Sequence, residues 1–234
     1  MLESVIKLPR CNDAHKIHAW LSDRFGSHRT HLASKARVSA SDADVVKYVF
    51  TARASGEDSI LTVFHSDPIP KLAGSSSVKI PEPGSTLRFR ARLNPTKKSC
   101  HAGRRIPVSE ADLFNWFQRQ MNDGEMQRQA DPRAEVINDA AEILSLDVVY
   151  SGFERLSHGS AARGKFVVDL WSVEVEGVLR VVDSNILRSR LLEGVGRYKG
   201  HGYGMVAPEG SVAYRVMGFN LYAPEDSPAM GFNL

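Results

Sequence analysis

The chain has 234 residues and only two cysteines, Cys11 and Cys100. Two thiols neither staple a fold of this size nor complete a zinc site with each other. No uninterrupted apolar run of about 18 residues occurs, so no transmembrane helix is expected. The opening MLESVIKLPRC lacks a basic segment followed by an apolar run, so no signal peptide is expected. A reducing, cytoplasmic setting is therefore the default. There is no strand–GxxxxGK–helix phosphate loop and no GxGxxG opening a helix, which argues against nucleotide-cofactor folds. Cofactors and metals are both expected to be absent. With 42% hydrophobic residues and no glycine period, the chain is neither disordered nor fibrous.

A net charge of +3 is small, but it is unevenly spread. Seven cations fall between Thr86 and Arg105 with no acid among them: Arg88, Arg90, Arg92, Lys97, Lys98, Arg104 and Arg105. Arg24, Arg29, Lys35 and Arg37 form a second acid-free run. Such asymmetry points to a phosphate-facing side. A solvated basic face is the plainer alternative.

Residues 2–8 suit a first strand. A helix from Asn12 or Asp13 to Phe25, stopped by Gly26, places Ala14, Ile17, Leu21 and Phe25 in one stripe. His18 lies at the stripe edge, and His15 further toward solvent. Val45–Ala54 and Ser59–His65 form a hairpin around Ser55-Gly56-Glu57-Asp58. Asp67–Ser85 reads as loop. In Thr86–Leu93, period-two alternation puts Arg88, Arg90 and Arg92 on one face and Leu87, Phe89, Ala91 and Leu93 on the other. Three like charges on one face either await an anion or guard an edge. A basic loop then runs to Arg105. Ser109 caps a helix carrying Leu113, Trp116 and Phe117, with Asp112 as its capping-box partner and Trp116 as core. A second helix is expected over Pro132–Leu144. Strands follow over Asp147–Leu156 and Lys165–Val175, then a break at Glu176-Gly177 and a strand over Val178–Val182. Ser184–Leu192 is a helix stopped by Gly194. This order gives an α+β fold of two ferredoxin-like modules.

Gly194-Val195-Gly196-Arg197-Tyr198-Lys199-Gly200-His201-Gly202-Tyr203-Gly204 holds five glycines in eleven residues. Glycine lets backbone N–H groups approach phosphate, Arg197 and Lys199 add charge, and Tyr198 or Tyr203 offers a base a stacking surface. The segment resembles the glycine-rich loop of the RAMP superfamily of CRISPR-associated RNA-binding proteins. Three further motifs resemble the CasE-type precursor-crRNA endoribonucleases within it: Asn12–Leu21, Phe89–Lys97 with its arginine strand ending at Asn94-Pro95, and Arg105–Val108 with the Phe114–Phe117 helix. Gly177-Val178-Leu179 fits as well.

The resemblance implies tandem ferredoxin-like modules over residues 1–98 and 99–207, the second with a helical insertion and the glycine-rich loop. A tail follows over 208–234. It implies metal-free cleavage of CRISPR repeat RNA at the base of a stem-loop, leaving a 2′,3′-cyclic phosphate, in either a type I-E or a type IV-A system. Other effector-complex subunits are the implied protein partners. His18 matches the family's catalytic histidine, and His15 stands where relatives often have tyrosine. His28 and His31 are substitutes for either, and Arg24 and Arg37 are candidates for transition-state charge or for catalysis itself. The RNA-binding set is Arg88, Arg90, Arg92, Lys97, Lys98, Arg104, Arg105, Gly194, Gly196, Arg197, Tyr198, Lys199, Gly202 and Gly204. The alternative is a non-catalytic crRNA-binding subunit of the same fold. In the tail, Met217-Gly-Phe-Asn-Leu recurs at Met230-Gly-Phe-Asn-Leu, a motif fit to dock on the chain's own surface or on a neighbour.

Overall fold

The computed structural model describes residues 1–9, 11, 16–17, 19–21, 48–55, 57–66, 74–99, 104–122, 139–160 and 164–217. Two four-stranded antiparallel sheets follow one another along the chain. The first contains β1 (Leu2–Pro9), β2 (Tyr48–Ser55), β3 (Asp58–His65) and β4 (Ser76–Ser77), in the order β2-β3-β1-β4. β2 and β3 form the expected hairpin, with Tyr48 opposite His65 and Ser55 opposite Asp58. Residues 16–17 and 19–21 are helical. Ile17 and Leu21 of the expected apolar stripe are buried against Phe50, Leu61 and Val63.

The second sheet contains β5 (Thr86–Leu93), β8 (Ala141–Ser160), β9 (Gly164–Val181) and β10 (Val206–Pro208), in the order β10-β5-β9-β8. Helix α1 (Glu110–Asn122) connects β5 to β8, and α2 (Ser184–Glu193) connects β9 to β10. This is a complete βαββαβ unit, with its first strand central beside the third. The first sheet has the same strand order. A two-stranded hairpin, β6 (Thr96–Lys98) and β7 (Arg105–Pro107), is inserted between β5 and α1. A short helix, α3 (Val212–Val216), follows β10. The tandem ferredoxin-like reading therefore holds.

Its expected boundary at residue 98 does not. β5 pairs with β9 and β10, so the division by strand pairing falls between Ser77 and Thr86. The helix expected over Pro132–Leu144 is also corrected. Residues 132–138 lie outside the described residues, and Ala141–Leu144 open β8. An apolar run this short suits either element, and pairing decides: Ala141 lies opposite Val181. On the other edge, α1 replaces ladder partners. The Gln118 side chain donates to the Ala141 carbonyl and accepts from the Ile143 N–H. Nor does Glu176-Gly177 break a strand, since β9 runs through it. At Gly177 a Cβ would stand 2.4 Å from the Ser145 carbonyl oxygen and 2.7 Å from the Phe89 ring. Glycine here permits close approach within a sheet rather than a turn.

The apolar face of β5 packs under α1, where Phe89 and Phe117 stack with centroids 5.2 Å apart. Ser109 accepts from the Asp112 N–H at the start of α1, as half of the expected capping box. Asp183 caps α2, and the N–H of Gly194 (φ +69°) closes it onto the Arg190 carbonyl, the predicted stop. The two sheets share one core: Met1, Val49 and Phe64 cluster with Leu187, Leu191 and Leu192. Glu3 of β1, 2% exposed, accepts from the N–H groups of Val212 and Ala213 at the start of α3.

Candidate nucleic-acid interface

The glycine-rich segment links α2 to β10. Its ends are tied together and to β5: Val195 N–H donates to the Gly204 carbonyl (2.7 Å), and Gly204 N–H to the Arg92 carbonyl (2.7 Å). Between them Lys199–His201 forms one 3₁₀ turn, entered through Tyr198 at φ +58° and left through Gly202 at φ +85°. At Gly204 (φ +85°) a Cβ would sit 2.4 Å from the Val195 carbonyl oxygen. At Gly196 it would meet the Trp116 ring at 3.0 Å. Gly196 and Gly204 are thus required by the loop's own packing. Trp116 is core, as read from its helical spacing. Arg197 and Tyr198 are exposed, and Lys199 is half-buried.

Tyr203 is not a stacking surface, because it is fully buried. Its hydroxyl donates to Glu154 Oε2 (2.9 Å), which also accepts from Arg92 Nη2. The Arg92 guanidinium lies over the Tyr203 ring, 4.8 Å from its centroid. Glu174 adds a second carboxylate 4.0 Å from Arg92 Nε. Burial pushes the Glu174 carboxyl above the usual range, partly offset by Arg92. Burial also raises the Tyr203 phenol, so it stays protonated.

This corrects the reading of the arginine strand. Arg92 is 3% exposed and committed to an internal ion pair, so it is not part of an open phosphate-facing surface. Arg90 is half-buried, salt-bridged to Glu176 (2.6 Å) and seated over the Tyr214 ring. Register brings Arg90 opposite Glu176 and Arg92 opposite Glu174 of β9, and Glu154 reaches Arg92 from β8. Only Arg88, opposite Val178, is exposed. These acids lie more than 60 residues downstream, out of reach of any local pattern.

The β6–β7 hairpin keeps its charge outward. Lys97, Lys98, Arg104 and Arg105 are all exposed. Lys97 bonds Asp112 (2.9 Å); that bond and the one from Ser109 hold the Asp112 carboxyl below its ordinary range. Arg105 Nη1 donates to the Thr96 carbonyl, bracing the hairpin. A basic loop was expected here; the described part is a short antiparallel ladder presenting cations.

His15, His18, Arg24 and Arg37 lie outside the described residues, as do His28, His31 and the tail from residue 218. Among the described residues, no group of three or more His, Cys, Asp or Glu side chains could hold a metal, and no helix is long and apolar enough to cross a membrane.

Residues 7–207 match the sequence model of a family described as CRISPR associated protein. The chain is 28% identical over 130 residues to the CRISPR-associated endoribonuclease Cse3 of Thermus thermophilus, a match spanning 54% of this chain and 56% of that protein. Its fold superposes with a TM-score of 0.60 on the CRISPR endoribonuclease Cse3 bound to a 19-nucleotide RNA, at 17% identity over 88% of this chain and 98% of the other. Against a chain of a CRISPR RNA-guided surveillance complex the TM-score is 0.59, at 17% identity over 89% and 98%. At such identities the structural likeness is one of fold. The family match covers most of the chain, and the protein belongs to this family of CRISPR-associated proteins.

Proposed function

We propose that this chain is an endoribonuclease acting in the cytoplasm on CRISPR repeat RNA at the base of a stem-loop. The observation that carries the reading is the family match across residues 7–207, on a fold shared with an endoribonuclease bound to RNA. Exposed cations on the β6–β7 hairpin (Lys97, Lys98, Arg104, Arg105), with Arg88 and Arg197, supply contacts to the phosphates of the stem. The glycine-rich loop presents Arg197 and the exposed ring of Tyr198.

Cleavage needs no metal on this reading. A base removes the proton of a ribose 2′-OH, and the oxygen attacks the adjacent phosphate. An acid protonates the departing 5′-oxygen, leaving a 2′,3′-cyclic phosphate. His18 and His15 fill the two proton roles, since imidazole titrates near neutral pH. Arg24 or Arg37 offsets the charge that develops on the phosphorane. The product hairpin stays bound, and the chain sits with other subunits in an effector complex; a structural neighbour is a chain of a CRISPR RNA-guided surveillance complex.

Single-turnover cleavage of repeat RNA tests the assignment. His18→Ala and His15→Ala should each slow cleavage by about 10²- to 10⁴-fold while hairpin affinity stays near wild type. Wild-type protein that binds the hairpin but never cuts it would establish the non-catalytic binding subunit instead.

A further inference from the structure

Past Ser151 and Ser172 the β8–β9 hairpin continues beyond the helix-covered part of its sheet. Its two faces differ sharply. One is buried: Glu154 and Leu170 pack against Tyr203 beneath the glycine-rich loop. The other presents two cross-strand pairs, Phe153 opposite Trp171 and Arg155 opposite Asp169, followed by Val167. This is the face that α1 covers nearer the core, where Val173 is buried. The cover stops at the start of α1, where the Ser151 hydroxyl donates to Glu110. Beyond it Phe153 is 65% exposed and Val167 60%.

The Phe153 ring is propped edge-on by Trp171, with centroids 5.0 Å apart at 61°. Trp171 is itself packed, partly buried, against the main core, and the Asn94 amide donates to its backbone carbonyl (2.7 Å). Asn94 leads directly into the basic β6–β7 hairpin. Lys97 of that hairpin bonds Asp112 in the same helical turn as Glu110. The aromatic ring thus stands next to Arg155 on its own strand, and the Ser151–Glu110 and Lys97–Asp112 bonds tie this end of the β8–β9 hairpin to the basic β6–β7 hairpin through the first turn of α1. An exposed ring with Arg155 next to it, at the end of the sheet that α1 links to a basic hairpin, fits a base better than it fits an apolar peptide. Its fixed orientation lowers the ordering cost of stacking.

We propose that Phe153, braced by Trp171, is a stacking platform for an unpaired nucleotide flanking the stem. This rests on the RNA-binding reading above and adds a site for single-stranded RNA to it. The full-length protein is titrated with two labelled RNAs, a blunt repeat hairpin and the same hairpin carrying a short unpaired flank. Wild type should prefer the flanked RNA by about 5- to 150-fold for one stacked base. Phe153→Leu keeps the apolar bulk but should abolish that preference, and Phe153→Trp should restore it. If Phe153→Leu retains the preference, or wild type binds both RNAs equally, the platform is overturned while the RNA-binding reading stands. If wild type binds neither RNA, both readings fall.

Discussion

Arg92 is the residue whose replacement should cost most. Arg92→Met removes the cation from the Tyr203 ring face and leaves Glu154 and Glu174 buried without their cationic partner. Breaking a buried pair from one side costs about 3–5 kcal/mol. Arg88→Met on the same strand face, exposed and opposite Val178, should change stability by less than about 0.5 kcal/mol. Urea denaturation of the two variants checks the contrast, and equal midpoints would refute it. From residues 86–93 alone the three arginines look equivalent. What separates them is the acids that β9 and β8 bring across. The alternation was legible in the sequence, whereas the ion pairs depend on strand register and were not.

At the scale of elements, the glycine-rich loop is held by its own backbone. Gly204→Ala should cost about 2 kcal/mol or more, because a left-handed φ and a 2.4 Å approach to the Val195 carbonyl oxygen act together. Gly210→Ala has φ +90° but nothing within 4 Å of the added carbon, so its cost should stay near 1 kcal/mol. Thermal melts of both variants separate strain from overlap. The β2–β3 hairpin, β5, α1 and α2 were legible because turn residues, alternation and caps are local signals. The start of β8 was not, because Ala140-Ala141-Glu142-Ile143-Leu144 suits a helix face as well as a strand until Val181 lies opposite. Gly177 was taken for a break because the Phe89 ring that requires it comes from another strand.

For the whole molecule, the order of elements was enough to expect two ferredoxin-like modules. The boundary between them was not legible, since β5 joins the sheet that follows it rather than the one that precedes it. The modules are fastened by a shared core and by Glu3, which reaches from β1 to the start of α3. Glu3→Ala strips the acceptor from two backbone N–H groups and should cost about 2–3 kcal/mol. Chemical denaturation measures that loss, and an unchanged midpoint would show that the core alone joins the sheets. The catalytic assignment rests on His15 and His18, which were singled out by sequence and lie outside the described residues. The most direct test of the account is therefore chemical. The full chain is incubated with its repeat hairpin RNA in excess EDTA, and the ends of the product are analysed. Metal-free attack by the ribose 2′-OH should give undiminished cleavage at the base of the stem with a 2′,3′-cyclic phosphate. Cleavage only with added divalent metal, or products ending in a free 3′-hydroxyl, would contradict it.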